Sequence, residues 1–145
     1  MIISVDDFEI AVMKRGSWDY FSLTGMLKAK LGSLRVANWL RTRRTLEMLF
    51  AWETEHNPTF NWAEIGPIMD WMVRPGAKNF KISVKEWIAL THAIGLLAWP
   101  GMYGGTFGQT DIALEFAGWV DPLFRMRFEE VLKGNAQKKP IGYKN

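Results

Sequence analysis

Residues 34–55 constrain the fold of this 145-residue chain more than any other stretch, because their two sides need different surroundings. Placed on a helix at ~100° per residue, the apolar side chains gather on one side: Val36, Trp39, Leu40, Leu46 and Phe50. The other side carries Arg41, Arg44, Thr45 and Met48, with Asn38 beside them. The pattern predicts one long helix that packs on a core with one side and exposes positive charge on the other.

The positive side of this helix has two interpretations. The simpler one is a solvated face with local ion pairs, such as Arg43 with Glu47 one turn later. The other is a nucleic-acid-binding face, and the preceding residues favour it. A shorter helix is predicted at 22–30 with Ser22 as its N-cap, and Gly32 provides a turn before the second helix. This order is typical of a helix-turn-helix, whose second helix enters the major groove of DNA.

The residue types on the second helix suit contacts with DNA. Arginine and asparagine side chains form paired hydrogen bonds with guanine and adenine edges, and threonine hydroxyl groups commonly bind phosphate. The expected groove contacts are Asn38, Arg41, Arg44 and Thr45. Arg43, at the edge of the apolar side, is also assigned to the nucleic-acid-binding residues. The expected phosphate contacts are Lys28, Lys30 and Arg35. Met48 and Trp52 could meet thymine methyl groups or sugar, although packing beneath another part of the chain is the simpler expectation.

The remaining elements follow from periodicity and from capping residues. Strands are predicted at 8–14 and 19–21, helices at 84–93, 110–120 and 122–133, and a β-hairpin at 95–107. Ser83 and Glu86 form a capping box, and Asp121 caps the last helix, which Gly134 is expected to end. We expect a domain of 1–133 and a basic, disordered tail at 134–145. Residues 58–80 leave an ordered helix and a mobile insertion as open alternatives.

Several classes of function find no support in the sequence. The absence of cysteine excludes disulfides, thiol catalysis and cysteine-ligated zinc. His92 is expected to be a structural histidine on a helix, and Glu53 and Glu55 to be solvated charges. The segment GMYGGTFG (101–108) lacks the ending of a P-loop. We therefore expect no enzymatic activity, no metal, no cofactor and no small-molecule substrate.

The chain also lacks the sequence signals of secretion or membrane insertion. Its first ten residues, MIISVDDFEI, carry acidic residues where a signal peptide needs basic ones. The most apolar window, residues 88–103, is short and interrupted by glycine and proline. The net charge of +3 permits an anionic partner without requiring one. These features predict a cytoplasmic protein with no membrane partner.

One stretch carries a recognisable family signature. YGGTFGQTDIALEFAGWVDPLFRMRF (103–128) closely resembles the KilA-N signature, in which a Tyr-Gly-Gly-Thr hairpin leads into an Asp-Ile-Ala-Leu-Glu-Phe-Ala helix. DYFSLTGMLKAK (19–30), NWLRTRRTLEMLFAWETEHNPTFN (38–61) and KEWIALTHAIGLL (85–97) resemble the same family in order and spacing. The resemblance covers about residues 8–133.

This resemblance implies a DNA-binding α+β domain related to the fungal APSES winged-helix domains. The implied fold is winged helix-turn-helix-like, with N-terminal strands, a central helix-turn-helix at 22–30 and 34–55, a β-hairpin wing and C-terminal helices. The implied wing residues are Trp99, Met102, Tyr103, Gly104, Gly105 and Thr106. The family occurs in phages, bacterial mobile elements and large DNA viruses, which implies a regulatory factor bound to double-stranded DNA at the nucleoid of a bacterial host.

The wing departs from the family pattern in its charge. Similar proteins often carry a basic residue before the Tyr-Gly-Gly-Thr, where this chain has Met102. They often carry a histidine and a lysine before the Asp-Ile-Ala, where this chain has Gln109 and Thr110. A less charged wing suits contact with protein, so the alternative hypothesis is an antirepressor-like or host-targeting interaction module. It would bind a protein partner or a second copy of the chain through its apolar wing.

Overall fold

The computed structural model describes residues 1–30, 35–74, 80–99 and 105–137. In these ranges the elements are, in chain order, β1 (Ile2–Val5), β2 (Phe8–Arg15), β3 (Trp18–Ser22), α1 (Leu23–Lys30), α2 (Val36–Leu40), α3 (Arg43–His56), a 3-10 helix (Trp62–Glu64), α4 (Ile65–Val73), α5 (Val84–Thr91), β4 (Leu96–Trp99), β5 (Gly105–Gln109), α6 (Thr110–Val120) and α7 (Pro122–Gln137). The α+β class, with an N-terminal antiparallel sheet and C-terminal helices, is confirmed.

The strands form one five-stranded sheet in the order β1-β2-β3-β5-β4. Asp6 and Asp7 both adopt positive φ between β1 and β2, as a tight hairpin turn requires. β1 was not among the predicted strands. β5 pairs with β3, with Phe21 opposite Gly108, and β4 pairs with β5, with Trp99 opposite Gly105. The predicted hairpin is therefore present in its strands, and it completes the sheet as its outer edge.

The prediction of one long helix at 34–55 is wrong, because the segment forms two helices. Arg41 ends α2, and Thr42 adopts an extended conformation with φ −95° and ψ 140°. The Thr42 hydroxyl accepts a hydrogen bond from the Thr45 backbone N–H at 3.2 Å, so Thr42 is the N-cap of α3. A threonine that can satisfy a free helix donor offers the backbone an alternative to helix continuation. The apolar periodicity continues through the break and conceals it.

Two other predicted boundaries need correction, and the segment 58–80, which was left open, contains a helix. The helix predicted at 84–93 ends at Thr91, and His92 follows in the left-handed region with φ 58°, so it is not a helical residue. The last helix does not stop at Gly134 but continues to Gln137. Within 58–80, α4 includes Pro67 in its first turn, where the missing N–H has no intrahelical partner to lose. The rest of the predicted tail, 138–145, lies outside the described residues.

The core lies between the sheet and the helices α1, α3, α6 and α7. Trp39 of α2 meets Phe116 of α6 edge to face at 5.0 Å between ring centroids. Phe21 of β3 meets Phe128 of α7 in the same way at 5.1 Å. The predicted apolar side of 34–55 is buried at Val36, Trp39, Leu40 and Leu46. The Trp39 contact packs α2 against α6, and the basic residues Arg41, Arg43 and Arg44 remain exposed.

Candidate nucleic-acid interface

A groove with a cavity volume of about 430 Å³ lies where α1, α2, α5 and the β4–β5 hairpin meet. Lys28, Arg35 and Lys85 line it, together with hairpin residues that include Trp99 and Thr106. No acidic residue lines this groove in the part of the chain that the structure describes. We call it the basic groove. Its charge suits an anionic ligand.

Close packing of α1 on the hairpin forms one wall of the basic groove. Ser22 caps α1, as predicted, by accepting a hydrogen bond from the Gly25 N–H at 2.9 Å. Thr24 accepts a second hydrogen bond from the Thr106 N–H of β5 at 3.0 Å. Gly105 has φ +124°, and a Cβ there would lie 2.8 Å from the Thr24 hydroxyl oxygen. Only glycine fits both constraints, so Gly105 lets α1 approach the hairpin and places Lys28 at the groove.

The opposite wall contains the first residues of α2 and α5. The Arg35 N–H donates to Asn38 Oδ1 at 2.8 Å at the start of α2. At α5 the predicted capping box is present: Ser83 N–H donates to Glu86 Oε1 at 2.9 Å, and Glu86 N–H donates to Ser83 Oγ at 3.1 Å. Lys85 follows Ser83 at this helix start and lines the groove. The partial positive charge of a helix N-terminus adds to that of the side chains.

The predicted contact residues do not converge on one surface. Lys28 and Arg35 line the basic groove, whereas Arg44 lines a second groove of about 460 Å³ with Met48, Trp119 and Met126. Arg41 is exposed at the end of α2. Of the two further predicted contacts, Lys30 is the last residue of α1, and Asn38 is half-buried in α2.

Arg43 and Thr45 have local partners within α3. Arg43 pairs with Glu47 at 3.0 Å, as predicted, but both side chains are more than half exposed, so the pair contributes at most about 1 kcal/mol. Thr45 is only 5% exposed, and its hydroxyl oxygen lies 2.6 Å from that of Thr42. The structure therefore places Thr45 at the first turn of α3, facing the protein.

Of the predicted wing residues, Met102, Tyr103 and Gly104 lie outside the described residues. Trp99 is half-buried and meets Phe107 edge to face at 5.6 Å. The guanidinium carbon of Arg15, at the end of β2, lies 5.6 Å from the centre of the Trp99 ring. Thr106 is buried. Trp99 and Gly105 are thus the partly exposed wing residues among those that the structure describes.

The prediction that Glu53 is a solvated charge is wrong, because its side chain on α3 is fully buried. Its carboxylate accepts from the Ile94 N–H at 3.1 Å and from the Gly95 N–H at 2.8 Å. It also accepts from Asn57 Nδ2 at 2.8 Å, and the same amide donates to the His92 carbonyl at 2.9 Å. Glu53 therefore fastens α3 to the segment that leads into β4. Hydrogen bonds to an ionised acceptor are the stronger kind.

Tyr20 holds the same segment from the sheet side. Its hydroxyl donates to the Ile94 carbonyl at 2.8 Å. Burial raises the pKa of Tyr20 above its ordinary value of 10.0; nearby Arg15 opposes this rise and Glu53 adds to it. Gly95 must be glycine, because a Cβ there would lie 2.3 Å from Ile112 Cδ1 and 3.0 Å from the Glu53 carboxylate. The position of the hairpin relative to α3 is thus fixed by several buried contacts.

Sequence reasoning missed Lys85 and Glu53. The capping box identified the start of the α5 helix, but nothing local indicated that Lys85 would lie near Lys28 and Arg35. The Glu53 partners on Ile94 and Gly95 are 41 and 42 positions away along the chain. Trp52, considered for an outward role, is 7% exposed and meets Trp18 at 5.2 Å, so the simpler expectation of packing is correct.

Among the described residues, no helix is long and apolar enough to cross a bilayer. Within the same ranges, no three histidine, cysteine, aspartate or glutamate side chains gather in a way that could hold a metal ion.

Comparison with known proteins confirms the family resemblance that the sequence motifs indicated. The model of a family described as KilA-N domain matches residues 3–138, nearly the whole chain. No curated protein and no solved structure matches the chain significantly.

Proposed function

The chain belongs to the KilA-N domain family, and from this premise we propose that it binds duplex DNA through the basic groove and the exposed arginines of α2 and α3. KilA-N domains are generally DNA-binding domains and not an enzyme family. The proposed phosphate contacts are Lys28, Arg35 and Lys85 in the basic groove, and the further proposed contacts outside it are Arg41 at the end of α2 and Arg44 at the second groove. A regulatory role in a phage or mobile element, at the host nucleoid, rests on the family resemblance.

The observation that carries the proposal is the absence of acidic partners at the basic groove. None of the ion pairs between described residues involves Lys28, Arg35 or Lys85. Cations without local partners release condensed counterions from DNA when they bind phosphate. Cations already paired with carboxylates gain less from the same contact. The groove therefore offers three side chains whose full charge is available to a nucleic-acid backbone.

Of the other predicted contacts, Arg43 and Lys30 remain proposed DNA contacts, whereas Asn38 and Thr45 take a structural role. The Asn38 side-chain oxygen already accepts the Arg35 N–H, and Thr45 is buried against the N-cap of α3. We therefore assign Asn38 and Thr45 the role of holding the starts of α2 and α3, so that Arg41 and Arg44 are presented correctly. Arg43 can exchange its exposed partner Glu47 for phosphate at small cost.

The test is a salt series on a random-sequence duplex, read by fluorescence anisotropy. Five phosphate contacts predict a log–log slope of about −4.5, because each contributes about 0.9. The triple variant Lys28→Ala, Arg35→Ala, Lys85→Ala leaves two contacts, so its slope should be shallower, at about −1.8. A matched triple, Lys14→Ala, Arg127→Ala, Lys133→Ala, removes the same charge outside the groove. Equal slopes for the two triples would show that net charge, not the groove, binds DNA.

The alternative is a protein partner or a second copy bound at the apolar wing, where Trp99 is half-buried. Sedimentation of the wild type and of Trp99→Ala tests for self-association. Loss of a dimer in the variant, with an unchanged DNA salt slope, would favour the alternative.

A further inference from the structure

We propose that Arg15, held over the ring of Trp99, is an additional DNA phosphate contact that extends the binding surface across the hairpin edge. This inference rests on the proposed function, since it enlarges the same surface. Arg15 lies in the N-terminal sheet, outside both helices of the helix-turn-helix and outside the hairpin. Nothing in its local sequence distinguishes it from its neighbour Lys14.

The first support is the position of Trp99 between two grooves. Trp99 lines the basic groove and also a third groove of about 310 Å³ that contains Arg15 and Tyr20. β4, which carries Trp99, is an edge strand of the sheet, so the ring that the two grooves share lies at the sheet edge. A duplex lying across this edge would have phosphates on both sides of the Trp99 ring. Arg15 would meet those on the side opposite Lys28 and Arg35.

The second support is the way in which Arg15 is held. Its guanidinium carbon lies 5.6 Å from the centre of the Trp99 ring, within the range of a cation–π contact. A cation–π contact orients the guanidinium electrostatically but does not pair its charge with a carboxylate. No carboxylate is paired with Arg15 among the described residues. The side chain is thus oriented without being neutralised.

Lys14 provides the contrast on the same strand. Its ammonium nitrogen lies 3.1 Å from Asp19 Oδ1, so its charge is already paired with a carboxylate. Lys14 lines neither the basic groove nor the second or third groove. Consecutive side chains on a strand point to opposite faces. Lys14→Ala and Arg15→Ala therefore remove the same charge from neighbouring positions on opposite sides of the sheet.

The experiment measures duplex binding by anisotropy between about 50 and 200 mM salt. Arg15→Ala should make the negative log–log slope shallower by about 0.9. Between the two salt concentrations, the variant should therefore lose affinity by a factor about 3.5 times smaller than the wild type does. Lys14→Ala should leave the slope nearly unchanged. Equal changes in slope for the two variants would overturn the proposal, because they would show an effect of the protein's overall charge and not of a contact at Arg15. A shift in neither variant would overturn it too.

A double-mutant cycle tests whether Trp99 affects DNA binding through its contact with Arg15. Trp99→Leu frees Arg15 from the ring and should weaken binding, with folding checked by circular dichroism. The same substitution in the Arg15→Ala background should then cause a much smaller loss. Equal losses in both backgrounds would show that Trp99 acts without Arg15, which overturns the proposal. The Lys28, Arg35, Lys85 triple reports separately on the basic groove, and a wild type that does not bind DNA would overturn both proposals.

Discussion

Replacement of Glu53 tests the main physical argument about how α3 is joined to the hairpin. The buried carboxylate accepts from two backbone N–H groups, of Ile94 and Gly95, and from the Asn57 amide. Glu53→Ala leaves these donors without an acceptor in a buried site, and each unsatisfied donor costs about 1 to 3 kcal/mol. Because the smaller side chain lets in some water, we expect a loss of about 3 to 5 kcal/mol in the free energy of unfolding.

Glu53→Gln is the sharper variant, since it keeps the shape and changes only the hydrogen bonds. A glutamine amide would direct its NH₂ toward a donor in either orientation. Asn57 cannot flip to compensate, because its oxygen accepts from Thr59 and its nitrogen donates to His92. One donor is therefore lost and the charge assistance disappears, for an expected loss of about 2 to 3 kcal/mol.

Urea unfolding followed by tryptophan fluorescence measures both losses, with the slope m checked for constancy. Glu55→Gln is the matched control, since Glu55 is an exposed neighbour in the same helix. It should change stability by less than about 0.5 kcal/mol. A Glu53→Gln variant as stable as the control would refute the reasoning, because the carboxylate would then contribute nothing that a neutral amide does not.

The remaining predictions concern a cap, two glycines and a tyrosine. Thr42→Ala should lower stability by about 1 kcal/mol in urea unfolding, because it removes the N-cap of α3. Gly95→Ala should lower it by at least about 1 to 3 kcal/mol from steric overlap, whereas Gly134→Ala, in open space within α7, should raise it by up to about 1 kcal/mol. The raised pKa of Tyr20 means that the unfolded chain ionises first, so stability should fall as pH rises above 10.0. Thermal melts across that range should show a smaller fall for Tyr20→Phe, and an equal fall would contradict the pKa argument.

The elements that the sequence predicted well are those stabilised by contacts within one turn. The capping box at Ser83, the cap of α1 at Ser22 and the apolar face of α6 all depend on residues at most four apart. Such contacts leave a mark in the sequence itself. The same holds for the pairing of Arg43 with Glu47.

The break between α2 and α3 shows the limit of this approach. Thr42 is a good N-cap residue, but the apolar positions on either side continue one helical period without interruption. Periodicity therefore favoured one helix, and only the packing of Trp39 against Phe116 shows that two shorter helices fit the core. β1 was missed for a related reason, since its four residues gain stability only when paired with β2.

By itself the sequence determined the family, the α+β class, most helices and the presence of an exposed arginine cluster. The tertiary structure alone decided which charges share a surface: it brought Lys85 to Lys28 and Arg35, and it separated Arg44 from them. It also buried Glu53 against backbone donors more than forty positions away. The physical reason is that caps and periodicity act between neighbours in the chain, whereas a binding surface depends on the packing of elements whose contacts leave no local pattern.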